Sequence, residues 1–146
     1  KSKYILRSIV TSFLKGLLYS LTDELPESNE PYKRIGKKAI GIFDFPLGNE
    51  YFKDLAKLRG YKKPIEILRI IPEFYNSFDL FQEDIDISIE KIYDNKVIFR
   101  FKNSEFLQGE ERFTKYFSIA CGIIEAVFIQ IFITDFEVQF LTLIMH

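Results

Sequence analysis

The chain has no tryptophan, one cysteine, one histidine and one methionine among its 146 residues. A single thiol, Cys121, excludes an internal disulfide and any multi-cysteine zinc site within one chain. The lone histidine, His146, is the last residue, where a terminal remnant explains it as well as a functional group does. Nucleophile–histidine pairs, Ser-His-Asp triads and histidine-rich metal centres therefore have almost nothing to be built from. Glycine (7) and proline (5) are sparse, and no phosphate-cradling run occurs. The nearest candidate, Gly36 to Gly41, fits neither G-x-G-x-x-G nor G-x-x-x-x-G-K-[ST] and lies in a helical pattern. G-x-S-x-G, H-E-x-x-H and C-x-x-C are missing as well.

Neither sign of charge is in excess. Twenty Lys+Arg against 21 Asp+Glu leave −1, which argues against a nucleic-acid partner bound by bulk electrostatics. The most apolar run, Ile119 to Ile133, carries Glu125 and Gln130 and falls short of the roughly 20 residues a membrane span needs. No leader segment is legible, because the stretch after Lys1-Ser2-Lys3 is broken by Arg7, Ser8, Thr11, Ser12 and Lys15. The expectation is a cytoplasmic protein without a membrane span. The chain opens on Lys1 rather than Met, as a sequence lacking its natural start would.

What is present suits one domain over 1–146. The chain is 47% hydrophobic and 28% charged, with 16 Phe and 8 Tyr, enough to bury a core. Residues 3–22 read as an amphipathic helix, with Ile5, Leu6, Ile9, Val10, Phe13, Leu14, Leu17, Leu18 and Leu21 on its apolar stripe. That stripe either packs on the core or offers a dimerising or partner-binding face. After a loop with Pro26, a short basic helix over 31–43 carries Lys33, Arg34, Lys37 and Lys38. It reads as a solvated face, with a phosphate or an acidic surface as the alternative partner. A helix over about 49–59 stops at Gly60, and another opens at Pro64 with a break expected near Ile71 because of Pro72. The period then drops to two. Ile85, Ile87 and Ile89, then Val97, Phe99 and Phe101, predict an antiparallel hairpin. A second long helix over 112–132 is apolar nearly all round, and 136–145 reads as a closing strand. The fold class is α+β, a small antiparallel sheet with helices packed on one face and a helical N-terminal half.

Chemistry is scarce. The acidic pairs Glu83-Asp84 and Glu110-Glu111 sit where solvation explains them, and no catalytic residues are nominated. Glu125 is the one charged residue in 116–133, so it either reaches water at a helix margin or faces a cavity, a partner or a buried cation. Cys121, one turn earlier, reads as a small apolar filler, with a reactive thiol or ligand as the alternative. Phe99 and Phe101 on a strand and Phe113, Phe117 and Phe128 on the helix would border a space between sheet and helix. Large rings there either pack densely or leave an apolar pocket.

Val97-Ile-Phe-Arg-Phe-Lys-Asn-Ser-Glu105, followed by a loop and a helix with Ala120-Cys-Gly-Ile-Ile-Glu-Ala126, resembles the 4-vinyl-reductase domain family of hydrocarbon- and small-molecule-binding domains. Tyr32-Lys-Arg-Ile-Gly-Lys-Lys-Ala-Ile-Gly41 and Lys63-Pro64-Ile-Glu-Ile-Leu68 resemble the helices that precede this motif in the family. The resemblance spans 31–145 and rests on short motifs. It implies an α+β domain related to TRAPP vesicle-tethering subunits, usually dimeric, that binds an apolar or aromatic small molecule. Some relatives act in tetrapyrrole vinyl reduction, and others are sensor domains of transcription activators that bind zinc through Cys and Glu. Here the first zinc-binding Cys position is Thr114, and no Glu-x-x-Cys follows Ile133, so no metal site is expected. No cofactor is expected either, and vinyl reduction by the chain itself lacks a proton donor or cofactor motif.

The resulting expectation is a non-catalytic, homodimeric binding domain for an apolar or aromatic small molecule. Its pocket would be lined by Phe99, Phe101, Phe113, Phe117, Cys121 and Ile124. The alternative is a dimeric protein-interaction scaffold resembling vesicle-tethering subunits, with no ligand and with Ile5–Leu21 as its main patch.

Overall fold

Residues 2–42, 46–72, 86–94, 96–102, 104–132, 137 and 139 are described by a computed structural model. The first half is helical. Helix α1 runs Ser2–Glu24, α2 Glu30–Ile42 and α3 Pro46–Leu58. Helix α3 ends as its sequence predicts. Gly60 takes φ +73°. The Tyr61 amide then reaches the Ala56 carbonyl at 2.9 Å and the Gly60 amide that of Lys57 at 3.0 Å, which satisfies the last carbonyls of the helix.

Helix α4, Pro64–Ile67, opens with Pro64 in its first turn, then tightens into a 3-10 turn over Leu68–Ile70 before two more helical residues, Ile71 and Pro72. The irregularity therefore falls just before Ile71, close to where Pro72 predicts it. Pro72 has no N–H to give the Leu68 carbonyl, and its ring crowds that oxygen. The tighter turn supplies a substitute, because the Ile71 amide donates to Leu68 instead.

Strands β1 (Asp86–Ile92) and β2 (Val97–Lys102) form the antiparallel hairpin. Ile87 pairs with Phe101 and Ile89 with Phe99, as the alternation predicts. The register then shifts between Ile89 and Lys91, which leaves Glu90 as the extra residue of a bulge. Glu90 uses that position to pair with Arg100 on the neighbouring strand. Two 3-10 turns follow, Glu105–Leu107 and Glu111–Thr114, and the second leads into α5, Lys115–Phe132. The predicted closing strand over 136–145 lies outside the described residues, apart from the exposed Glu137 and Gln139.

The largest contact among the described elements is that of α2 with α5. The two helices run the same way: Tyr32 packs with Tyr116 and Phe117, Gly36 meets Ile119 and Ile123, and Ile40 packs with Val127. Their backbones touch. A Cβ at Gly36 would fall on the Ile119 carbonyl oxygen and 2.9 Å from the Ile123 nitrogen. One at Gly122 would fall on the Lys33 carbonyl. Glycine is required on both sides of this crossing by space alone. The architecture is α+β, with the hairpin meeting α5 through Val97 and Phe99. No helix among the described residues is long and apolar enough to cross a membrane.

Candidate functional site

Helix α5 has two working sides. Ile119, Gly122 and Ile123 face α2. On the far side Phe117, Cys121, Ile124 and Phe128 recur at i, i+4, i+7 and i+11, which is one stripe at 3.6 residues per turn. All four are buried. The stripe passes through two separate apolar clusters. At its N-terminal end Phe117 joins Leu18, Tyr32, Phe106 and Tyr116, with Phe113 packed against them. Phe106 and Tyr116 stack there with centroids 3.9 Å apart and planes 10° from parallel. Two turns on, about 10 Å along the axis, Ile124 and Phe128 join Leu68 and Ile71, with Val97 and Phe99 of the hairpin packed on them.

The residues predicted to line one space between sheet and helix are thus divided. Phe99 and Ile124 come together, as do Phe113 and Phe117, but the two pairs belong to different clusters. Phe113 and Phe117 lie at the N-terminal end of the stripe, level with α1 and the 3-10 turn at Phe106, whereas the hairpin meets the stripe two turns further on. Phe101 pairs with Ile87 in the hairpin; its side chain lies outside the described residues. Cys121 stands between the clusters, one turn from Phe117 and one from Ile124. Burial pushes its thiol up to about 11, with Lys33 opposing the shift and Glu125 adding to it. It is held protonated, as a small apolar filler would be.

A polar seam runs beside the stripe. Glu125 is 3% exposed, so it is not at a helix margin. Its Oε1 lies 2.5 Å from Lys33 Nζ and its Oε2 3.0 Å from Lys37 Nζ. The buried cation expected as one partner for Glu125 is therefore a pair of lysines on α2. Lys33 turns inward with its side chain 11% exposed, whereas Lys37, like Arg34 and Lys38, stays exposed, so the reading of α2 as a solvated face fails at Lys33 alone. The two lysines are spaced i, i+4 and flank Gly36, the residue that lets α2 approach closely enough for them to reach. That spacing, beside one acidic residue in an apolar helix, was the available signal.

Two buried serines stand apart from this pair. Ser104, fully buried in the Asn-Ser motif, accepts a hydrogen bond from the Phe106 amide at 3.1 Å and caps the first 3-10 turn. Ser118, 2% exposed and one turn before Cys121, has a buried Oγ with no hydrogen-bond partner among the described residues. Such a group costs about 1–3 kcal/mol when left unmade. No group of three or more His, Cys, Asp or Glu gathers among the described residues.

No family model, curated protein or solved structure matches the chain.

Proposed function

We propose that the chain is a non-catalytic, cytoplasmic binding domain for an apolar or aromatic small molecule, and that it works as a homodimer. One observation carries the ligand: the buried, unpartnered Ser118 hydroxyl next to Cys121, between two clusters rich in aromatic rings. Small-molecule sites are mostly apolar with a few polar groups that fix orientation, and a guest with one acceptor atom would answer Ser118. The apolar stripe Phe117–Cys121–Ile124, with Phe99 and Phe113 at its two ends, supplies the remaining surface, and Phe101 on the hairpin is assigned to the same lining. This reading agrees with the resemblance to 4-vinyl-reductase domains.

Native mass spectrometry of the purified protein, with thermal shifts against a panel of substituted aromatics, tests it. A co-purifying mass, or a shift of several degrees with one compound class, is expected. Ser118→Val should weaken that binding about tenfold, the loss of one hydrogen bond. A protein with no bound mass and no shift across the panel defeats the reading. The exposed face of α1 favours the second reading, an interaction scaffold without a ligand.

A further inference from the structure

Helix α1 packs only one of its two apolar sides against the other described residues. Leu18 is buried, and Leu14, Leu21 and Leu25 pack with it on Tyr32, Phe106 and Tyr116. Lys15 is drawn to that side, 3.9 Å from Glu105 and over the Phe106 and Phe113 rings. The opposite side is open. Ile5, Ile9, Phe13 and Leu17, spaced by four, are 57%, 61%, 65% and 43% exposed. With Leu6 they form an apolar patch on the order of 500 Å², near the top of what a soluble monomer shows.

Alongside runs a second row at the same spacing: Ser8, Ser12, Gly16 and Ser20, all exposed. Gly16 is the informative member. Glycine inside a helix costs about 1 kcal/mol relative to alanine. At Gly36 and Gly122 that cost is offset by a crossing that leaves no room for a Cβ, whereas a Cβ at Gly16 would meet nothing within 4 Å. Gly41 is open too, but it is the penultimate residue of α2, where glycine is ordinary. Nothing among the described residues calls for glycine at 16.

We infer that this face is covered by α1 of a second copy, antiparallel, with the two-fold axis passing between Ser12 and Phe13. Reversing the helix about that point sets each large residue against a small one. Ile9 meets Gly16, Phe13 meets Ser12, Leu17 meets Ser8 and Ile5 meets Ser20, and each contact recurs by symmetry. The large row of one copy fills the groove over the small row of the other. Neither row contains an ionisable residue, so two copies meet without like-charge repulsion. Together they would bury about 1,000 Å², where specific interfaces begin. The inference rests on the homodimer reading and names its interface.

Native mass spectrometry of the wild type, Gly16→Leu, Ser12→Cys and Ser8→Cys decides it. Cys121 is buried, so new thiols report cleanly. The wild type should be a dimer, and Gly16→Leu should weaken it a hundredfold or more. The isolated subunit has open space at 16, so this variant should melt no lower as a monomer. Under mild oxidation Ser12→Cys should cross-link near the axis, and Ser8→Cys should not, its two copies lying about 13 Å apart along the helices. A wild-type dimer that persists in Gly16→Leu, or in which Ser12→Cys fails to cross-link, overturns this interface and leaves the homodimer standing. Cross-linking at both positions overturns the antiparallel register. A monomeric wild type overturns the homodimer itself, and vesicle or foreign-protein binding by that monomer would assign the face elsewhere.

Discussion

The crossing of α2 on α5 and the outer face of α1 both place glycine inside a helix, with opposite surroundings. At the crossing, Gly36 and Gly122 are closed in by backbone, and the seam beside them joins Glu125 to two lysines. On α1, Gly16 faces open space among exposed apolar side chains. The first region is finished within one chain; the second has the composition of a crossing without the second helix. A glycine's place in a helix says little by itself. What a Cβ would strike separates a packing requirement met from one still open.

That contrast can be broken in order of expected effect. Gly122→Ala should be the most damaging substitution, because its methyl strikes the Lys33 carbonyl and the adjacent Lys37 amide rather than a side chain that can move. A loss of more than about 3 kcal/mol, beyond usual overpacking, should appear in urea denaturation; a melting curve like the wild type's would break the close-crossing picture. Glu125→Gln comes next. It leaves the largely buried Lys33 facing a neutral amide, while the half-exposed Lys37 can turn to water, and about 3 kcal/mol should be lost. The triple change of Glu125, Lys33 and Lys37 to methionine should recover most of that loss, measured in the same way.

Alkaline stability is third. The Cys121 thiol lies raised from 9.0 to about 11 in the folded chain, so the unfolded chain releases its proton first. The protonated thiol's contribution is whole below about pH 9 and is lost as pH climbs through about 11, an effect of at most about 3 kcal/mol. Cys121→Ala should flatten that part of the pH–stability profile. Smallest, and opposite in sign, is Gly16→Ala. With no neighbour to strike, it should gain up to about 1 kcal/mol of monomer stability from helix propensity.

Much of the fold could be read from local pattern. The helical half, the Gly60 stop and the hairpin with Ile89 opposite Phe99 follow from periodicity and from residues whose backbone preferences act within a turn. Pro72 marked a break, but its position depended on which neighbouring carbonyl found another donor. What escaped was the choice of distant partners. Lys33 looks solvated until Gly36 meets Ile119, and Phe99 and Phe113 look like neighbours until they pack at different heights along α5. Ser118 gave no signal, because a serine in an apolar helix does not announce whether its hydroxyl has found a carbonyl.

The α2–α5 crossing also bears on how the chain is made. Its two glycines stand 86 residues apart, so the tightest contact between described helices closes a long loop. During synthesis α2 emerges first and must wait for α5 before its partner exists. Loops of that length form slowly compared with local helices. A ribosome-bound fragment ending before Lys115 would expose Tyr32 and Ile40 and leave Lys33 without its carboxylate. The chain's first half therefore keeps this apolar surface uncovered until α5 is released.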